Sequence, residues 1–196
     1  MILGKLKEAT QAQHEGLEQT VDVMSQMFSL ENYKNLLAKF YRFYSAIEIE
    51  LAKLDLNKYG YDLTERLKTP KLEKDLAYLG ILQNVKKLPL YNGLPKLDTA
   101  EKAFGSLYVI EGATLGGQII NRHLKQNLDL SPENGGLFFN GYGEHTGSKW
   151  KEFCQMTTKF AESKNADETI IYSAKSTFDS FKNCYLEPIS FGSMSY

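Results

Sequence analysis

The chain has 196 residues, 42% of them apolar, and a formal net charge of −1, long enough for a real core and too balanced in charge for a nucleic-acid binder. No apolar run approaches the roughly 20 residues that span a bilayer. The two cysteines, Cys154 and Cys184, form neither CxxC nor CxxCH, and the opening Met-Ile-Leu-Gly-Lys-Leu-Lys-Glu becomes charged at once. The expectation is a single soluble, cytoplasmic domain over residues 1–196, with reduced thiols and no leader, membrane or nucleic-acid partner.

Taken in chain order, residues 3 to about 20 predict an amphipathic helix. Leu3, Leu6, Thr10, His14, Leu17 and Val21 fall on one side, and Lys5, Glu8, Gln11 and Glu15 largely on the other. A second helix begins near Ser29 and carries Leu36, Leu37, Phe40, Phe43, Tyr44, Ile47, Leu51 and Leu54 to about Asp55. Residues 57–68 are polar and turn-rich. Pro70 suits a helix first turn, with Leu72, Leu76 and Leu79 following before Gly80. Residues 84–98 predict the longest loop before the next helix, which Asp98 or Thr99 caps and which extends through Leu124. Residues 128–147, broken by Ser131-Pro132, Gly135-Gly136, Gly141 and Gly143, predict a loop. Two further helices are expected over about 148–163 and from Asp167 to about Leu186. No segment sustains period-2 alternation, so the fold class is all-α.

The helix running through residue 112 holds the sequence's strongest anomaly. Leu107, Ile110, Leu115 and Ile119 recur at helical spacing, with Ile120 and Leu124 continuing the pattern, yet Gly112, Gly116 and Gly117 interrupt it. Each interior glycine costs about 1 kcal/mol relative to alanine. Gly112 and Gly116 are four apart and open a trough on one face. Close helix–helix packing is one explanation; a flat, bulky ligand lying on a helix that bends at the glycines is the other.

Three histidines are present. His123 and His145 fall in polar surroundings, whereas His14 sits on the apolar stripe of the first helix. A packed core histidine would explain it. Its helical neighbours offer a second explanation, because Thr10, one turn before, and Glu18, one turn after, lie near the same face, with Lys7 two turns before. A carboxylate can orient a metal-binding imidazole through its other ring nitrogen, and an ammonium can meet an anionic group. HExxH, ExxH and paired zinc ligands are missing, so a metal would have to bring its own macrocycle, as haem does.

These residues carry a resemblance. Leu6-Lys7-Glu8-Ala9-Thr10 followed by His14-Glu15 is very similar to the opening of haem oxygenases, where the proximal histidine lies. Gly112-Ala113-Thr114-Leu115-Gly116-Gly117-Gln118 resembles their kinked distal helix, and Leu107-Tyr108-Val109-Ile110-Glu111-Gly112 looks like the bacterial branch. Lys175-Ser176-Thr177-Phe178 resembles the final-helix segment, whose phenylalanine packs on the haem side. The likeness spans the chain in order. It implies one helical domain with haem sandwiched between the first helix and the glycine-rich distal helix, His14 being the iron ligand. Gly112 and Gly116 would form the catalytic distal wall, and Thr10, Glu18, Gly117 and Phe178 would complete the haem pocket. Lys7 and Lys151 are the implied partners of the propionates.

The implied activity is O2- and electron-dependent cleavage of haem to biliverdin, CO and iron, with a ferredoxin, flavodoxin or reductase as donor. The alternative on the same scaffold is a haem carrier or sensor without turnover. The chain departs from the pattern at Ala113, where mammalian-type enzymes hold an aspartate that orders distal water, and at Gln155, where a second propionate-binding cation is usual.

Overall fold

The computed structural model describes residues 1–190, which form nine α-helices joined by 3-10 turns and loops, with no strand among the described residues. Helix α1 spans Ile2–Val21. It stops at Asp22, whose left-handed φ of 39° turns the chain into α2, Val23–Gln26. That one-turn helix has no periodic signal of its own. Helix α3, Leu30–Leu51, is capped by Ser29, whose Oγ accepts the Asn32 amide at 3.4 Å. Its stripe is buried almost throughout and forms the spine of the core. Phe43 stacks on Phe181 of the last helix with ring centroids 4.2 Å apart.

Helix α4 spans Thr69–Tyr78, with proline in its first turn and Gly80 at φ +74° just beyond its end. A single helical turn, α5 (Leu82–Val85), runs into the first two residues of the expected 84–98 loop. Helix α6 (Ala100–Gly112) starts where expected, with Thr99 Oγ1 accepting the Lys102 amide. Helices α8 (Thr146–Lys164) and α9 (Asp167–Leu186) complete the fold. Helix α9 crosses α6 so closely at Gly105 that a Cβ there would lie 2.3 Å from the Ile170 carbonyl oxygen. The glycine required for helix crossing is therefore Gly105, outside the trio that marks the kink.

The helix expected to extend through Leu124 with a bend at the glycines is interrupted there. Ala113–Gly116 winds as a 3-10 turn, and the chain resumes as α7, Gly117–Leu128. Three residues per turn replace 3.6 over that stretch, so the register of the stripe rotates. Leu115 and Ile119, which share the helical spacing of Leu107 and Ile110, are 50% and 56% exposed, while Leu124 is buried and Ile120 half-buried.

The loop between α7 and α8 packs Phe138 and Phe139 onto the core. Asp75 of α4 accepts the amides of Leu137 at 2.9 Å and Phe138 at 2.7 Å. Burial pushes its carboxyl up to about 6 against the pull of those two bonds. Tyr33 donates its hydroxyl to the Gly135 carbonyl at 2.7 Å. At Gly117 a Cβ would sit 1.8 Å from the Phe139 carbonyl oxygen. Gly117→Ala is therefore expected to destabilise the chain by about 1–3 kcal/mol, because backbone must move to admit one methyl. Urea unfolding of the variant measures this directly.

Candidate functional site

Helix α1 shows where the site lies. Along its apolar stripe Leu6, Thr10 and Val21 are buried, but His14 between them is exposed at 55% of its side chain. The stripe is covered at both ends and open in the middle. The opening leads into a slot of about 510 Å³, within the range of small-molecule sites. His14, Leu17 and Glu18 of α1 line one wall. Gly112, Ala113, Leu115 and Gly116 of the kinked segment line another. Aromatic side chains close the slot: Phe40 and Tyr44 from α3, Phe138 and Phe139 from the loop, Trp150 from α8, and Phe178 and Phe181 from α9. A wider groove of about 710 Å³ lies between α3 and residues 90–98, but it is lined by Lys53, Lys96, Glu50 and Asp98 and holds no histidine or cysteine.

His14 stands edge-on to Phe178, ring centroids 5.7 Å apart at 82°, which fixes one side of the imidazole. Its Nδ1 lies 3.5 Å from Glu18 Oε2, so the carboxylate lies toward Nδ1 and Nε2 is the ring nitrogen it leaves without a partner from Glu18. Among the described residues no group of three His, Cys, Asp or Glu side chains gathers around a metal position. The slot offers a metal one imidazole, apolar walls and flat aromatic faces. That donor set fits an iron held in a planar macrocycle.

The glycines of the kink divide by what faces them. A Cβ at Gly112 would meet only the rim of the Trp150 indole, at 3.7 Å, and one at Gly116 only Ile120, at 3.8 Å. Neither position is closed by another helix; both border the slot. Gly117 turns the opposite way, onto the Phe139 carbonyl, and serves packing. Thr10 also faces away from the slot. Its hydroxyl donates to the Leu6 carbonyl at 2.8 Å, next to the Tyr108 hydroxyl. Glu18 and Phe178 line the slot as expected. Lys7 and Lys151 are exposed and lie outside its lining, which contains no lysine or arginine at all. Anionic groups of a ligand must therefore protrude from the slot to reach a cation.

Behind the kink lies a cluster that sequence reasoning missed. Glu111, fully buried next to Gly112, accepts from Lys68 Nζ at 2.7 Å, Arg66 Nη1 at 3.0 Å, Tyr142 at 2.8 Å and Tyr61 at 3.1 Å. Arg66 also donates to Glu152 at 2.5 Å. Burial pulls the Lys68 ammonium below the ordinary lysine range. A glutamate inside a strongly apolar helix, with Arg66 and Lys68 in the turn-rich segment, was the available signal. It pointed to nothing until the fold brought the three together.

A sequence model of the family described as "Heme oxygenase" matches residues 2–187. The chain belongs to the heme oxygenase family. A relative named "Heme oxygenase" from Xanthomonas campestris pv. campestris (strain 8004) is 26% identical over 155 residues, covering 79% of this chain and 88% of the relative. The fold agrees. The heme oxygenase of Neisseria meningitidis, solved with NO and CO bound, superposes with a TM-score of 0.78 at 24% identity, covering 94% of this chain and 90% of that one. The Leptospira interrogans heme oxygenase does so at 0.73 and 18% identity, covering 94% and 98%. The chain is thus an all-helical enzyme of the heme oxygenase family, with haem degradation as its general activity. Among the described residues no helix is long and apolar enough to cross a membrane.

Proposed function

We propose that the slot takes haem as its substrate and that the chain opens it to biliverdin, CO and iron, using O2 and electrons from a ferredoxin, flavodoxin or reductase. The observation that carries this reading is the gap in the α1 stripe, where an exposed His14 faces a wall made of glycine. Bound there, haem would supply the iron and the redox chemistry. His14 would hold the iron through Nε2, with Glu18 on the Nδ1 side and Phe178 fixing the ring edge. Gly112 and Gly116 leave no side chain over the opposite face, so a diatomic co-substrate can lie flat against the kink. The aromatic wall of Phe40, Phe138 and Phe181 excludes water from the inner edge and favours the apolar rim of the porphyrin. The propionates then point outward, where Lys7 and Lys151 are the cations proposed to receive them.

Reconstitution with haem, followed by reductant under air, tests this function. The expected result is loss of the Soret band with growth of a bilin absorption. A Soret band that persists under reductant and O2 marks a carrier and contradicts turnover.

The glycine wall makes a separate prediction. Gly112 has helical φ and ψ of −60° and −35°, and a Cβ there would make only ordinary contact with Trp150, at 3.7 Å. Gly112→Ala should stabilise the haem-free chain by about 0.5–1 kcal/mol through backbone entropy while weakening haem binding. Thermal melts and a haem titration of the same variant give both numbers. Equal haem affinity would show that the ring does not lie against Gly112.

A further inference from the structure

Side chains of α3 and α4 tie down the loop that brings Phe138 and Phe139 into the slot. Tyr33 donates to the Gly135 carbonyl at 2.7 Å and Lys71 to the Gly141 carbonyl, while Asp75 accepts the Leu137 and Phe138 amides. Phe138 stands edge-on to Phe40 and Tyr44, with centroids 5.7 and 5.1 Å away. The Phe139 carbonyl backs onto Gly117 of α7. Asp75 is the tie nearest the two rings, with one oxygen on each of two successive amides. It is 1% exposed, and among the described residues no side chain donates to it. Only the ionised carboxyl suits both amides. Protonation turns one oxygen into a hydroxyl, a poor acceptor whose own proton needs a partner.

We propose that Asp75 is a positioning residue for the substrate slot and that its proton works the loop. Ionised, it seats Phe138 and Phe139 as part of the aromatic wall. Protonated, it frees the Leu137–Phe138 backbone, and the slot loosens its hold on a planar ring. The role rests on the slot being the haem site. Two titratable groups face the carboxylate: Lys71 of its own helix, which favours the charge, and the Tyr33 phenol of α3, which burial and Asp75 keep protonated. The Lys71 ammonium feels Lys68, Lys74 and Glu111 as well. Burial outweighs the help from Lys71 and the two amides, pushing the Asp75 carboxyl up to about 6. A folded pKa above the unfolded one means that the fold as a whole gains as Asp75 takes up its proton. The loosening is therefore local to the loop and is not an acid unfolding.

Amide NMR of the haem-free chain reads this directly. The Leu137 and Phe138 N–H resonances should titrate together at about pH 6 in the parent and stay flat in Asp75→Asn. Asparagine keeps one acceptor and turns an NH2 group toward the other amide, so the variant mimics the protonated chain at every pH. At neutral pH, haem release to excess apomyoglobin should be faster in Asp75→Asn on the order of tenfold. Release of metal-free protoporphyrin IX, which makes no bond to His14, should quicken in the parent as pH falls through about 6 and stay level in the variant. If the variant does not fold, the amide titration and porphyrin release of the parent carry the test. Parent amides that do not titrate, or equal release rates from parent and variant, overturn the proposal. A parent that binds neither haem nor porphyrin while its amides titrate overturns the functional reading, but not the tie between Asp75 and the loop.

Discussion

Glu111→Gln is expected to lower unfolding stability by about 3–5 kcal/mol, the cost of leaving buried cations without their counter-charge. The carboxylate has no exposure to solvent and is the shared acceptor of Arg66, Lys68, Tyr61 and Tyr142. Glutamine retains one acceptor oxygen and turns an NH2 group toward donors that need acceptors. Lys68, almost fully buried, would keep only the Arg66 carbonyl and the Tyr142 hydroxyl. The end of α6 would lose its tie to the 64–68 segment and to the loop at 142. Urea denaturation should show a lower midpoint with the slope preserved. Pairing Glu111→Gln with Lys68→Met should cost less than the sum of the two, because one change removes the charge the other strands. A loss below about 1 kcal/mol would show that the cluster is hydrated and is not a buried ionic knot.

His14→Ala should give the opposite profile, a fold left intact and a ligand lost. The side chain is more than half exposed and its contacts are Phe178 and Glu18, so stability should change by no more than about 0.5 kcal/mol. Haem affinity should fall about tenfold or more, equivalent to at least 1.4 kcal/mol. The optical spectrum of the complex should lose its histidine-ligated form and regain it on addition of imidazole, which can occupy the cavity left by the side chain. An unchanged spectrum in the variant would assign the iron ligand to another residue.

Much of this architecture was legible in the sequence because it rests on local rules. Helical spacing located α1, α3, α4, α6, α8 and α9, and Ser29, Pro70 and Thr99 marked the starts of α3, α4 and α6 through capping and fixed φ. The helix α2 was hidden because four residues show no period. Leu115 and Ile119 leave the buried stripe because a 3.6-residue spacing does not carry through a stretch wound at three residues per turn. The three clustered glycines announced a site, but their separate duties depend on what the chain folds against them. Only the tertiary structure shows that Gly117 meets a carbonyl while Gly112 and Gly116 have only ordinary side-chain contacts, with Trp150 and Ile120. The Glu111 cluster was illegible for a similar reason, since its cations lie 45 and 43 residues away in sequence. His14 stood out only through its helical neighbours, and Thr10 among them proved to bond its own helix.

In the proposed complex, haem lies between α1 and the kink with His14 on its iron. Anomalous scattering at the iron edge from crystals of the haem-loaded chain tests it most directly. A single iron peak is expected beside the His14 imidazole, with the porphyrin plane between that ring and Gly112–Gly116. An iron peak away from His14, or a ring seated in the wider groove beside residues 90–98, would contradict it.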